Sequence, residues 1–341
     1  MKVSSYISKK ISTLSFVGII FVVYIHSTLL NIEHYKWFVY TQDFLRSIWN
    51  SFYPMFFAIS GYFFFIGIKG TRLDFIYKYK SRFKSLIIPY FFWNISFLMI
   101  MLTLKYNPVT ASVINSDFSN LFSLSIFGWF HELFVKPFGF HLWFIRDLIC
   151  IVFFAPLIWF LIKKIGYYFI FILIIAHIAF TDIIAIGSLI PFVVGATLAI
   201  RKNNIEKKIS GFTLILLGLL TILIGFITVK FGVIEVLQFY VAWIPFLFIW
   251  FGYDFLINKK VKIIPIDRCL PYTFFIYVFH EPYLNIFKKI FIKMGNSNEC
   301  SVWVSYFISP IITVVLAIVL AKFLERITPG MYKVINGGRA K

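Results

Sequence analysis

The chain contains ten apolar runs, and each is about as long as a helix that crosses a lipid bilayer. About 20 apolar residues are needed to cross, because each helical residue adds only about 1.5 Å along the axis. The predicted spans are residues 12–30, 47–68, 85–104, 140–162, 165–181, 183–200, 209–228, 233–257, 269–292 and 302–325. No soluble domain is left over. We therefore predict an all-α, polytopic membrane helix bundle in which residues 1–341 form a single domain.

Composition supports this class of protein. The chain is 60% hydrophobic and only 14% charged, whereas soluble domains are about half apolar and a quarter charged. The formal net charge of +19 falls in short runs between the spans. That distribution follows the positive-inside rule and argues against nucleic-acid binding, so membrane lipids are the expected surroundings.

The distribution of Lys and Arg also predicts the orientation. With an even number of spans and both termini cytoplasmic, most cations lie on the cytoplasmic side. The cluster Lys288, Lys289 and Lys293 is the one discordant group. The first apolar run is too long for a cleavable signal peptide and no small-residue cleavage site follows it.

Cys150, Cys269 and Cys300 lie far apart in the chain. Their spacing indicates neither a disulfide framework nor a metal site, so no metal is predicted.

Ionisable residues within apolar spans are costly and therefore indicate function or internal pairing. His26 lies about two thirds of the way along the first span. Its imidazole could accept a proton from a hydroxyl, or it could be a hydrogen-bonded histidine of the bundle interior. Arg146 and Asp147 adjoin in the fourth span, where they could form a structural ion pair or contact a substrate.

The sequence Phe279-His280-Glu281-Pro282 lies near the middle of the ninth span. Pro282 lacks a backbone donor and predicts a kink, beside which His280 and Glu281 could line a cavity or mark a hinge. Ser60 and Gly61 in the second span could serve close helix packing, or Ser60 could place a hydroxyl beside a ligand.

Segment 69–84 is predicted to be a loop and carries six cations, which are Lys69, Arg72, Lys78, Lys80, Arg82 and Lys84. The loop could be a topogenic signal, but its charge exceeds what topology needs and favours phosphate binding. Segment 105–139, the longest piece between spans, could be interfacial or re-entrant around Ile126–His131.

Taken in order, these features resemble acyltransferase family 3, the integral membrane O-acyltransferases of bacterial surface glycans. The resemblance covers roughly residues 12 to 325. Its markers are Val23-Tyr24-Ile25-His26, Phe56 to Tyr62, the basic segment from Arg82 to Trp93, His141 to Phe144, and Tyr277 to Pro282.

The resemblance implies transfer of an acetyl group from acetyl-CoA to a hydroxyl of a cell-surface or lipid-linked glycan, in the bacterial inner membrane. His26 matches the family's first-helix histidine and is the implied general base or acyl-handling group. Arg146 and His280 are candidates to stabilise the oxyanion or to orient His26. Arg82 matches the loop arginine and, with Lys84 beside it, is implied to bind the phosphates of the donor acyl-CoA. Lys80 and Ser60 are further candidate donor-binding residues.

The chain departs from the family pattern at Ser12 and Ser15, where many members have Asp and Arg, and at Ser85, where the second loop arginine is usual. Two other functions stay open. A polysaccharide exporter or flippase would need polar residues along many spans, and a sensory or assembly subunit would not need His26.

Overall fold

The computed structural model describes residues 3–30, 32–107, 124–180, 184–206, 208–232, 239–258 and 266–339. Within these ranges all regular structure is helical. The α-helices are α1 (Ser5–His26), α2 (Lys36–Trp49), α3 (Phe52–Phe65), α4 (Arg72–Arg82), α5 (Ile88–Tyr106), α6 (Ile126–Phe130), α7 (Trp143–Phe153), α8 (Ala155–Ile165), α9 (Tyr168–Ala179), α10 (Ile184–Ile200), α11 (Gly211–Phe231), α12 (Trp243–Asn258), α13 (Thr273–Met294), α14 (Glu299–Ile327) and α15 (Pro329–Ile335).

The all-α prediction is thus confirmed for the described part of the chain. Among the described residues, five helices are long and apolar enough to cross a membrane: Ser5–His26, Arg72–Tyr106, Gly211–Phe231, Phe239–Ile257 and Glu299–Ile327. The number is six if the bent pair Phe140–Phe153 and Ala155–Ile165 forms one span. Ten spans and two cytoplasmic termini stay predictions.

The prediction of a loop at 69–84 is wrong, because most of this segment is helical. The helix runs through α4, a π-helical turn at Phe83–Ile87 and α5 as one continuous element, Arg72–Tyr106. Asp74 accepts hydrogen bonds from the amides of Lys69 and Thr71, at 3.0 and 3.1 Å, and caps its start. Arg and Lys are good helix formers, and no Gly or Pro lies between Arg72 and Ile88.

Two predicted spans are divided in the structure. Span 47–68 contains the end of α2 and all of α3, and span 140–162 contains α7 and α8. In both, a proline lies in the first turn of the second helix, Pro54 in α3 and Pro156 in α8. Proline is tolerated there because the first turn has no intrahelical partner for its N–H, whereas inside a continuous helix it would remove a hydrogen bond.

The chain forms two compact units, of which the first comprises residues 1–78 and 153–270. In this unit α3 and α10 pack backbone against backbone. A Cβ atom added to Gly61 would lie 2.0 Å from the carbonyl oxygen of Phe192, and one added to Gly195 would lie 1.8 Å from that of Ala58. The packing interpretation of Gly61 is therefore supported, since only small residues allow so close an approach.

The second unit comprises residues 79–152 and 271–341. Here α13 and α14 form a helix pair in which the Ser305 hydroxyl donates to the carbonyl of Lys288 at 3.2 Å. Lys288 lies inside α13 and is largely buried. One member of the discordant cluster is therefore a buried helix residue, not a loop cation.

Segment 105–139 is described only in part, because residues 108–123 lie outside the described ranges. Its second half forms α6 and a π-helical turn, His131–Val135. Ile126 and Phe127 are 90% and 86% exposed. An apolar helix with such exposed side chains is compatible with the interfacial interpretation, which stays a prediction.

Candidate active site

Two buried histidines meet in the second unit. His141 and His280 are almost completely inaccessible, and their ring centroids lie 4.9 Å apart at an interplanar angle of 68°. His141 belongs to a short 3-10 turn, Phe140–Leu142, and His280 to α13. Both histidines lie in motifs that the sequence analysis identified, but the sequence did not indicate that their side chains are in contact.

Backbone carbonyls determine the tautomer of each ring. Nδ1 of His280 lies 2.6 Å from the carbonyl oxygen of Tyr277, and Nε2 of His141 lies 3.2 Å from that of Val278. A carbonyl can only accept, so these nitrogens carry the proton. In a neutral ring the lone pair then lies on Nε2 of His280 and on Nδ1 of His141. Each ring is therefore oriented to accept a proton at a defined atom.

Tyr277 fixes the position of the turn that carries His141. Its hydroxyl donates to the carbonyl of His141 at 2.7 Å, and the tyrosine is buried. The two segments that carry the histidines are thus joined in both directions, because His141 bonds to α13 and Tyr277 of α13 bonds back.

The predicted kink at Pro282 is confirmed. Glu281 has φ −97° and ψ 137°, which interrupts the helical backbone of α13. Its carboxylate is buried and accepts from the Asn285 side-chain amide at 2.7 Å. Within the described residues its second oxygen, Oε1, has no hydrogen-bond partner. A buried carboxylate next to His280 adds an acidic group to the site.

Arg146 forms the ion pair that was one of its two predicted alternatives. Its Nε and Nη2 donate to Oδ1 of Asp147 at 2.9 and 2.7 Å, and its Nη1 donates to the carbonyl of Val135 at 2.6 Å. Asp147 is buried, whereas the Arg146 side chain is 24% exposed. The ion pair neutralises the charge of Asp147, and part of the Arg146 guanidinium stays accessible.

The predicted donor-binding cations lie on the continuous helix that contains α4 and α5. Lys80 and Arg82 belong to the last turn of α4, and Lys84 lies in the π-helical turn that follows. Lys80 and Lys84 are exposed and Arg82 is half-buried. The positive charge therefore precedes the apolar stretch of α5.

His26 and Ser60 belong to the first unit, and the other five predicted site residues belong to the second. His26 is the last residue of α1, which ends earlier than the predicted span 12–30. The hydroxyls of Ser27 and Thr28 donate to the carbonyls of Tyr24 and Ile25 and so satisfy the end of the helix. Ser60 is half-buried on α3.

Sequence reasoning missed a buried ion pair in the first unit. Lys10 is 0% exposed, and its Nζ lies 2.7 Å from Oδ2 of Asp254. It also lies 3.9 Å from the centre of the Trp250 ring, and Tyr6 donates to the other oxygen of Asp254. The available signal was Asp254, an acid within an apolar span.

Sequence reasoning also missed Arg339 in the C-terminal tail. Its Nη1 donates to the carbonyl of Ser85 at 3.1 Å. This contact brings a further cation to the region of Arg82 and Lys84.

Apolar helices of membrane-spanning length and buried ionisable side chains define a multi-pass membrane protein. The family model described as an acyltransferase domain, that of acyltransferase family 3, matches residues 11–322. The chain therefore belongs to acyltransferase family 3, and membership implies acyltransferase activity in general. No curated protein and no solved structure matches the chain.

Proposed function

We propose that this protein is an O-acetyltransferase of the bacterial inner membrane that moves an acetyl group from acetyl-CoA to a hydroxyl of a cell-surface or lipid-linked glycan. Family membership supports acyl transfer in general. The proposal that the donor is acetyl-CoA rests on one observation. Three cations, Lys80, Arg82 and Lys84, lie directly before the apolar helix α5. Coenzyme A carries several phosphate charges, which such a group recognises.

In the proposed reaction, His26 accepts the proton of the acceptor hydroxyl as the oxygen attacks the thioester carbonyl carbon. A C–O bond forms, and the carbonyl oxygen becomes an oxyanion. When the tetrahedral intermediate collapses, the C–S bond breaks and the sulfur of coenzyme A leaves as a thiolate. The imidazolium of His26 then returns the proton to that sulfur, so atoms and charge balance.

Arg146 and His280 have supporting roles in this proposal. The guanidinium of Arg146 keeps an accessible edge and is suited to stabilise the oxyanion. His280 holds its proton on Nδ1 towards the Tyr277 carbonyl. In the neutral ring Nε2 is thus an acceptor, which favours an orienting role for His280 over donation to an oxyanion.

The test is mass spectrometry of surface glycans from cells in which the gene is deleted. The deletion strain is complemented with the wild type, with His26→Ala or with His34→Ala. His34 is an exposed histidine before α2 and serves as a matched control. We expect the wild type and His34→Ala to restore an acetyl mass increment of the glycan. His26→Ala should fail, because loss of a general base slows a reaction about 10²- to 10⁴-fold.

Two results would contradict the proposal. Glycans with an unchanged acetyl content in the deletion strain would argue against acetylation altogether. Loss of the whole glycan from the surface, in place of its acetyl groups, would favour an exporter. Immunoblots of the membrane fraction establish that each variant is present in equal amount.

A further inference from the structure

The C-terminal tail of the second unit is anchored on α5. The indole Nε1 of Trp93 donates to the carbonyl of Ile335 at 3.0 Å. Tyr332, Ile335 and Asn336 are almost completely buried, and the Asn336 amide donates to the Tyr332 hydroxyl at 3.3 Å. The tail up to Asn336 is therefore part of the packed structure.

The turn after α15 brings the tail backbone against the π-helical turn between α4 and α5. Gly337 has φ +63°, a conformation that favours glycine. A Cβ atom on Gly337 would lie 2.7 Å from the carbonyl oxygen of Ser85 and 3.2 Å from its Cα. The close contact fixes the direction in which the tail continues to Arg339.

Arg339 is held at this contact by three interactions. Its Nη1 donates to the carbonyls of Ser85 and Asn336 at 3.1 and 3.3 Å. The centre of the guanidinium lies 4.1 Å from the centre of the Phe274 ring. Both hydrogen bonds go to neutral carbonyls, so they orient the group without neutralising its charge.

A second guanidinium belongs to Arg82, which precedes Ser85 by three residues in the continuous helix Arg72–Tyr106. The carbonyl that Arg339 contacts therefore lies within about one helical turn of Arg82. Partial desolvation, and then the positive charge of Arg82, lower the pKa of Arg339 to about 10. Arg339 is therefore still protonated at neutral pH, and two like charges are held in proximity. An anion that contacts both would remove their repulsion, and phosphate oxygens suit the planar fork of each guanidinium.

We propose that Arg339 binds a phosphate ester of the acyl-CoA donor together with Arg82, so that the C-terminal tail supplies part of the donor site. The inference rests on the proposed function, because it takes the donor from there. It extends that function by one named residue, which lies outside the apolar helices and beyond the end of the family match at residue 322.

The test measures binding of coenzyme A to the purified full-length protein in nanodiscs of phosphatidylcholine, by isothermal titration calorimetry. The variants are Arg339→Ala, Arg339→Lys and the control Lys333→Ala, which removes an exposed cation from α15. Arg339→Ala should weaken binding roughly tenfold to a hundredfold, because this is the change in dissociation constant expected for the loss of one hydrogen bond to a charged group. Arg339→Lys should lose less, and Lys333→Ala should bind within about twofold of the wild type.

The outcomes separate this inference from the proposed function. Equal affinity of the wild type and Arg339→Ala would overturn the role of Arg339 and leave the proposed function standing. No binding by the wild type would overturn both. Arg339→Lys, which keeps the charge, guards against a fold defect in the alanine variant.

A lipid headgroup could supply the same phosphate chemistry. A second series therefore uses nanodiscs that contain phosphatidylglycerol and measures which lipids copurify with each variant. Loss of bound phosphatidylglycerol in Arg339→Ala, with unchanged affinity for coenzyme A, would overturn the donor assignment. Unchanged lipid and weakened coenzyme A binding would support it.

Discussion

Substitution of Gly61 by alanine tests the contact between α3 and α10 and, with it, the position of the segment that carries Ser60. The new Cβ would lie 2.0 Å from the carbonyl oxygen of Phe192, 2.9 Å from its carbonyl carbon and 3.1 Å from the amide nitrogen of Ala196. All three atoms belong to the backbone of α10, so no side-chain rotation can relieve the overlap. The helices would have to separate by roughly 1 Å or more, since ordinary contacts begin near 3.4 Å.

The expected cost follows from two opposing terms. Overpacking a well-packed core costs about 1–3 kcal/mol, and a backbone overlap belongs at the upper end of that range. Alanine is favoured over glycine in a helix by about 0.8–1.0 kcal/mol, which offsets part of the cost. We expect Gly61→Ala to destabilise the protein by about 2 kcal/mol.

The assay is the half-life of folded protein in detergent at a fixed elevated temperature, because large membrane proteins commonly unfold irreversibly. The matched control is Gly252→Ala in α12, where an added Cβ meets nothing within 4 Å. The control should be as stable as the wild type or slightly more stable. If Gly61→Ala proves as long-lived as Gly252→Ala, the close contact of α3 with α10 is refuted.

Two further substitutions test the buried polar contacts. Lys10→Met should destabilise the protein by about 3–5 kcal/mol, because it leaves the buried carboxylate of Asp254 without its cation. The double variant Lys10→Met, Asp254→Asn should recover much of this loss in the same half-life assay; no recovery would argue against the ion pair. Tyr277→Phe removes the hydrogen bond to the His141 carbonyl and should cost about 1–3 kcal/mol. An unchanged half-life of Tyr277→Phe, compared with the exposed Tyr168→Phe as control, would contradict the buried contact.

The helical class and the membrane setting could be predicted because they depend on local composition. Apolar runs require internally satisfied backbone, and helices provide it. The kink was predictable for the same reason, since Pro282 removes a hydrogen bond wherever the helix packs. The division of two predicted spans was harder to predict, because Pro54 and Pro156 lie in the first turns of new helices inside apolar runs that composition alone does not divide.

The error at 69–84 has a different origin. A run of cations between two apolar runs predicts a loop, but Lys and Arg also favour helix, and Asp74 provides a cap for the start of this one. The charge of the segment favours an anionic ligand, which stays a prediction, and it does not determine the backbone conformation.

Tertiary contacts account for what sequence reasoning missed. Lys10 and Asp254 are 244 residues apart, and Arg339 and Ser85 are 254 apart. The sequence around each of these residues gives no indication of which distant residue it contacts. The contact of His141 with His280 is similar: each residue was recognisable, but only the fold brings the rings together.

The most direct test of the proposed activity follows an isotope from donor to acceptor. Inverted membrane vesicles that carry the wild type, His26→Ala or no copy of the protein are given deuterated acetyl-CoA, and their glycans and glycolipids are analysed by mass spectrometry. Deuterated acetyl ester on glycan in wild-type vesicles alone is the predicted result. Equal labelling with His26→Ala, or labelling by the wild type no higher than in vesicles without the protein, would contradict it.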